Sequence, residues 1–124
     1  MPNDNKQKPI LIVNQSAPYG NANAKESLDL ALASSAFEQA LSILFTGDGI
    51  YQLLPKQSPD DIQSKNLLQM LKALPIYGVE QLYVDQQSLT ERGITELDTQ
   101  LPIVLVNSVE ISRLYHDAQT VFRF

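Results

Sequence analysis

Apolar residues fall into five short runs, separated by longer segments of helical period. The runs are "PILIVNQ" (9–15), "ALSILFTG" (40–47), "VEQLYVD" (79–85), "LPIVLVN" (101–107) and "TVFRF" (120–124). Short β-branched or apolar runs bounded by turn residues read as strands. After the first run comes "SAPYGNAN", dense in turn formers. Asn23 with Glu26 three places on has the spacing of a helix N-cap and its reciprocal partner, opening a helix over 24–39. That helix has two apolar stripes, Leu28–Ala31–Leu32–Ser35 and Leu30–Ala33–Phe37, which predicts burial on two sides.

A second helix is predicted over 59–74. Ser58 is its N-cap, Pro59 its first residue, and Asp60 and Asp61 are acids in its first turn. Ile62, Leu67, Leu68, Met70, Leu71 and Leu74 point inward, and Pro75 and Gly78 stop it. "QSLTERG" allows one or two helical turns before Gly93, and Asn107 with Glu110 caps a last helix ending near His116. The order β-α-β-α-β-(α)-β-α-β predicts a three-layer α/β fold, flavodoxin- or Rossmann-like. It has a five-stranded, mainly parallel sheet with helices on both faces. In such sheets ligands and chemistry gather beyond the carboxyl ends of the strands.

Composition narrows the function. The chain of 124 residues fits a single domain over 9–124 behind a polar tail at 1–8. Its formal charge is −5 and its nine Lys and Arg are scattered, which argues against a direct nucleic-acid grip. No apolar run approaches the roughly 18 residues of a membrane span, and "MPNDNKQKP" has no apolar signal core. There is no cysteine, so this chain forms no disulfide, no thiolate metal site and no persulfide. These features suit a cytoplasmic protein.

One stretch breaks the rule that loops are polar. "FTGDGIYQLLP" (45–55) leaves the second strand through Gly47-Asp48-Gly49 and then carries Ile50, Tyr51, Leu53 and Leu54. Asp48 between glycines fits a tight turn better than catalysis, which needs a partner acid or base; Asp60 and Asp61 are near in sequence, but the start of the second helix accounts for them. The loop from Ser16 to Asn23 lies where flavodoxin-like folds hold a phosphate, but it lacks the glycine patterns of a phosphate loop. No cofactor is expected. His116 is the sole histidine and sits at a helix end, no set of residues completes a metal site, and Ser88 has no base in sequence context.

"SAPYGNANAKESLDLALASSAF", "FTGDGIYQLLP", "LYVDQQSLTERGI" and the terminal "FRF", in this order, resemble the TusC/DsrF subfamily of the DsrE/F/H-like sulfur-relay proteins across nearly the whole chain. The resemblance implies a DsrEFH-like α/β fold. It also implies TusB-like and TusD-like partners in a heterohexamer of two heterotrimers, which takes persulfide sulfur from a TusA-like carrier and passes it to a TusE-like one. The end use implied is thiolation of the wobble uridine of tRNA. In DsrE-type subunits a cysteine after the third strand carries the sulfur. Anchored on Ser88-Leu89 and Arg92-Gly93, that position is Asp85 here. A carboxylate forms no persulfide, so the resemblance implies an architectural, non-catalytic subunit. The apolar stretch then reads as a face for a sister subunit formed by Ile50, Tyr51, Leu53 and Leu54, and for self-association when the chain is alone. The other reading is that it folds back over its own sheet. Two further functions stay open: a DsrF-like subunit in sulfur oxidation, and a free-standing flavodoxin-like domain for a flavin or nucleotide.

Overall fold

The computed structural model describes residues 8–17, 22–55, 62–79, 81–98 and 100–124. The five strands are β1 (Ile10–Asn14), β2 (Leu41–Phe45), β3 (Leu82–Asp85), β4 (Ile103–Val106) and β5 (Thr120–Arg123). The helices are α1 (Asn23–Ala36), α2 (Ile62–Ala73), α3 (Gln86–Glu91) and α4 (Ser108–Asp117). Two 3₁₀ segments, Gly47–Leu53 and Leu74–Tyr77, follow β2 and α2. The sheet order is β4-β3-β2-β1-β5, and every neighbouring pair is parallel.

The topology explains how the two faces are covered. Successive steps from β1 to β4 move in one direction across the sheet, so right-handed crossovers stack their helices on one face. There Ile12, Ile43, Phe45, Leu82 and Val84 meet Leu28 and Ala31 of α1, Leu67, Leu68 and Leu71 of α2, and Leu89 of α3. The step from β4 to β5 returns past β1 and carries α4 over the opposite face. Ile111, Leu114 and Tyr115 pack there on Leu11, Val13, Leu44 and Val106. No side chain of α4 is fully buried, so the second layer is thin.

Local signals decide the element ends. Asn107 accepts from the Glu110 amide and Glu110 returns the bond to the Asn107 amide, each at 2.9 Å, which completes the expected capping box. Gly78, at φ 92°, ends the 3₁₀ turn after α2. Asn23 does not cap α1. The N-cap is Ala22, and Asn23 is the first helical residue, its Nδ2 donating to Ser16 Oγ at 3.1 Å. The expected caps Ser58, Pro59, Asp60 and Asp61 lie outside the described residues, as does the tail up to residue 7.

Two burial expectations are corrected. The second stripe of α1 is not buried: Leu30 is half-covered, Ala33 is exposed and Phe37 is 86% exposed. The helix ends at Ala36, before the stripe meets anything, and Glu38 turns the chain at φ 57°. Met70 on α2 also faces partly outward, because Leu67, Leu68 and Leu71 already fill the arc toward the sheet.

Candidate functional site at the carboxyl ends of the second and third strands

Parallel pairing brings the ends of β2 and β3 side by side, with Phe45 opposite Val84. The next residues, Thr46 and Asp85, then meet across the edge. Thr46 Oγ1 donates to Asp85 Oδ2 at 2.8 Å, and Ser88 Oγ donates to the same oxygen at 2.9 Å. The Gln87 amide donates to Asp85 Oδ1 at 3.1 Å, so Asp85 is the N-cap of α3. Both carboxylate oxygens are thus engaged within the chain. Ser88 is buried, and its oxygen also accepts from the Gly47 amide at 2.9 Å, which ties α3 to the start of the first 3₁₀ segment.

The expectation that Ser88 has no base in its sequence context is corrected: Asp85, three residues earlier, accepts its hydroxyl proton. The arrangement is nonetheless poor for nucleophilic catalysis. The hydroxyl is enclosed, its proton is directed at Asp85, and a lone pair is engaged by a backbone amide. The Asp-x-x-Ser spacing after a strand was the readable sign of this cap; Thr46, some forty residues earlier, had none.

Asp48 acts in the turn and as an ion-pair partner. Arg92 Nε and one terminal nitrogen lie 3.1 and 3.0 Å from Asp48 Oδ1, while the other terminal nitrogen donates to the Ser88 carbonyl at 3.3 Å. Gly47 takes φ 55°. Gly49 is needed for a different reason: a Cβ there would lie 2.0 Å from the Asn14 carbonyl oxygen. The segment thus presses on the end of β1.

That contact answers what the apolar stretch packs against. Ile50 and Leu53 are 0% exposed and belong to the chain's own core, so they offer no face to another subunit. A 3₁₀ turn has three residues, so side chains three apart share one side, here the side toward the sheet. Tyr51 and Leu54 fall on the next row and are half-buried. Gln52 is buried and its Nε2 donates to the Ser16 carbonyl at 3.0 Å.

In the described part of the loop after β1, polar groups turn inward, with Ser16 accepting from Asn23 and Gln52. Asn14 Oδ1 is buried without a hydrogen-bond partner among the described residues. No group of three or more His, Asp or Glu is placed to hold a metal among those residues. His116 is exposed, with Nδ1 3.3 Å from Asp117 Oδ1, far from this edge at the end of α4. No described helix is long and apolar enough to cross a membrane.

Residues 8–124 match the model of the DsrE/DsrF-like family. The chain belongs to this family. It is 36% identical to the protein TusC homolog of Vibrio vulnificus over 110 residues, 89% of this chain and 93% of that protein. It is 45% identical to the protein TusC homolog of Pseudomonas aeruginosa over 87 residues, 70% and 73% of the two chains. Among solved structures, the ychN protein from E. coli matches with a TM-score of 0.76 at 24% identity, covering 95% of this chain and 100% of that one. This match supports the parallel α/β fold of the DsrE/DsrF-like chain and says nothing further of its chemistry.

Proposed function

We propose that this DsrE/DsrF-like chain is an architectural, non-catalytic subunit of a TusBCD-type sulfur-relay complex in the cytoplasm, serving thiolation of the wobble uridine of tRNA. One observation carries the reading. The position that the resemblance gives to a sulfur-bearing cysteine holds Asp85, whose carboxylate is engaged by Thr46, Ser88 and the Gln87 amide, in a chain without cysteine. The similarity to TusC homologs supports a place in the same relay. A TusD-like partner would carry the persulfide, a TusB-like partner would complete the heterotrimer, and two heterotrimers would form the heterohexamer. TusA-like and TusE-like carriers would bring and remove sulfur.

Tyr51 and Leu54 remain the proposed contacts with a sister subunit. They are partly uncovered and sit on a segment whose other apolar residues, Ile50 and Leu53, fix it to the core. The test is co-expression with TusB-like and TusD-like proteins and mass measurement of the purified assembly. The complex is then incubated with a cysteine desulfurase, labelled cysteine and a TusA-like carrier. Label is expected on the TusD-like chain and not on this one. Failure of the chain to co-purify with either protein overturns the reading.

A further inference from the structure

β4 is the last strand of the sheet and pairs only with β3. The Leu82 amide donates to the Pro102 carbonyl at 2.9 Å, so Pro102, Val104 and Val106 turn their backbone groups toward β3. Ile103 and Leu105 turn theirs outward. The Ile103 amide is taken by the Leu101 carbonyl at 2.9 Å. The Ile103 carbonyl and both backbone groups of Leu105 are left facing away from the sheet, and Leu105 is 48% exposed.

The same two residues wall a groove. Their register partners Leu82 and Val84 belong to the core beneath α1, α2 and α3, so Ile103 and Leu105 point to that side too. With Leu89, Ile94, Leu97 and Leu101 they line a groove of about 290 Å³ along the open edge. Natural sheet edges are commonly blunted by charge. The opposite edge strand, β5, carries Arg123, whose guanidinium lies over the Tyr115 ring at 5.4 Å. Residues 101–106 carry no charge at all.

We infer that the β4 edge docks an extended segment of another protein, with aliphatic residues at alternate positions and Lys or Arg at its flanks. Each part of that description answers a group on this chain. The outward amide and carbonyl groups of a strand are matched in full by another extended backbone. Side chains on such a backbone alternate from face to face, so those on one face enter the groove while the others stay in solvent. The rim is acidic: exposed Glu96 stands between Thr95 and Leu97 of the groove, and exposed Glu91 closes α3. The nearby cations are already paired, Lys72 with Asp98 and Arg92 with Asp48. A basic segment complements this rim. A second copy of the chain, at a net charge of −5 and with the same acidic rim, does not. This docking edge stands whether or not the chain serves a sulfur relay.

Hydrogen exchange of the full chain tests the proposal. In dilute solution the Leu105 amide should exchange at least about tenfold faster than the Val104 and Val106 amides, which are bonded to β3. The probe is a blocked peptide, Lys-Val-Thr-Ile-Thr-Val-Lys. At millimolar concentration it should slow exchange at Leu105 and leave Val104 and Val106 unchanged. The same peptide with every inner amide N-methylated keeps its charge and side chains but donates nothing to the edge, and it should bind about tenfold more weakly or worse. Glu in place of its two Lys should also weaken it. Leu105→Lys, at an exposed position, should remove binding while the circular dichroism spectrum is unchanged. A Leu105 amide as slow as its neighbours in the dilute chain overturns the proposal, because the edge is then already covered. So does protection that appears when the chain alone is concentrated, which is pairing with a second copy, and so does its absence at millimolar peptide. A methylated peptide that binds as well as its parent shows charge attraction alone and overturns it too.

Discussion

Thr46 Oγ1 stands 2.8 Å from Asp85 Oδ2, joining residues 39 positions apart at the ends of two neighbouring strands. The same oxygen takes the Ser88 hydroxyl, and the other oxygen caps α3. Removing the carboxylate removes a cap and strands two donors at once. Asp85→Ala should therefore cost about 2–4 kcal/mol, a typical cap loss of about 1 plus about 1–3 for the desolvation of an unpaired buried hydroxyl. Asp85→Asn should cost less, because asparagine caps equally well. Urea unfolding measures both; equal stability of Asp85→Ala and wild type would show that the network contributes nothing.

Gly49 is a second fixed point. Its alanine variant would place a carbon 2.0 Å from the Asn14 carbonyl oxygen and 2.6 Å from the carbonyl carbon, both backbone atoms that cannot swing aside. Gly49→Ala should destabilise by at least about 1–3 kcal/mol, the usual range for overpacking. Gly93→Ala is the comparison. It has open space at φ 63°, so only the left-handed backbone is penalised, at roughly 1–2 kcal/mol. Thermal melts that rank Gly93→Ala as the more damaging change would contradict the close approach at Gly49.

The fold was largely legible in the sequence. β1, β2 and β5 differ from the expected runs by no more than two residues at either end, and the Asn107–Glu110 box is where its spacing places it. What failed was the fate of particular side chains. Asn23 has the spacing of a cap, but Ser16 is within reach of its amide, and the helix starts one residue earlier than that reading required. Ile50 and Leu53 look like surface only if their segment is an irregular loop; as a 3₁₀ turn it points them into the core. Phe37 fits a helical stripe, yet the helix ends before it can be covered. At the candidate site, Asp85 and Ser88 share one cap motif and are readable together. Thr46, Gly47 and the Asp48–Arg92 pair join them only through strand pairing, which leaves no local signal.

The split within the apolar stretch gives a third expectation. Ile50→Ala and Leu53→Ala should each cost about 2–5 kcal/mol, because each empties a fully buried site. Tyr51→Asp with Leu54→Asp should leave the fold standing and reduce co-purification with the sister subunits. Melting temperatures separate the two classes. If the doubly charged variant assembles as well as wild type, the sister-subunit contact lies elsewhere.

The ion pair of Asp98 with Lys72 is the most enclosed one among the described residues. Nζ lies 3.3 Å from Oδ2, the carboxylate is 9% exposed, and Oδ1 accepts from the Gln100 amide at 2.8 Å. Asp98 also donates its amide to the Leu53 carbonyl at 2.9 Å, so it fastens the segment before β4 to the first 3₁₀ segment. Lys72→Met leaves the carboxylate enclosed without its cation, while the Gln100 bond remains. A loss of about 1–3 kcal/mol is expected, the cost of leaving an enclosed polar group short of a partner. The Asp48–Arg92 pair is the contrast. Its carboxylate is 61% exposed, and Asp48→Ala should cost no more than the about 0.2–1 kcal/mol of exposed pairs. Chemical denaturation that found Asp48→Ala the costlier change would reverse this assignment.

The final expectation concerns sulfur throughput in the assembled complex. A persulfide needs a thiol, and this chain has none. Asp85 is held by three donors of its own chain, and its N-cap role survives in asparagine. If Asp85 only supports the local fold, Asp85→Asn should pass sulfur from a TusA-like donor to a TusE-like acceptor within about threefold of the wild-type rate, under about 0.7 kcal/mol on the barrier. Single-turnover transfer of labelled sulfur measures this directly, with the mass of the complex checked in the same samples. A hundredfold loss in an intact complex corresponds to about 2.7 kcal/mol of transition-state stabilisation, too much for a remote surface charge. The carboxylate would then have to act on a partner's reacting sulfur, and the architectural role proposed for this subunit would be wrong.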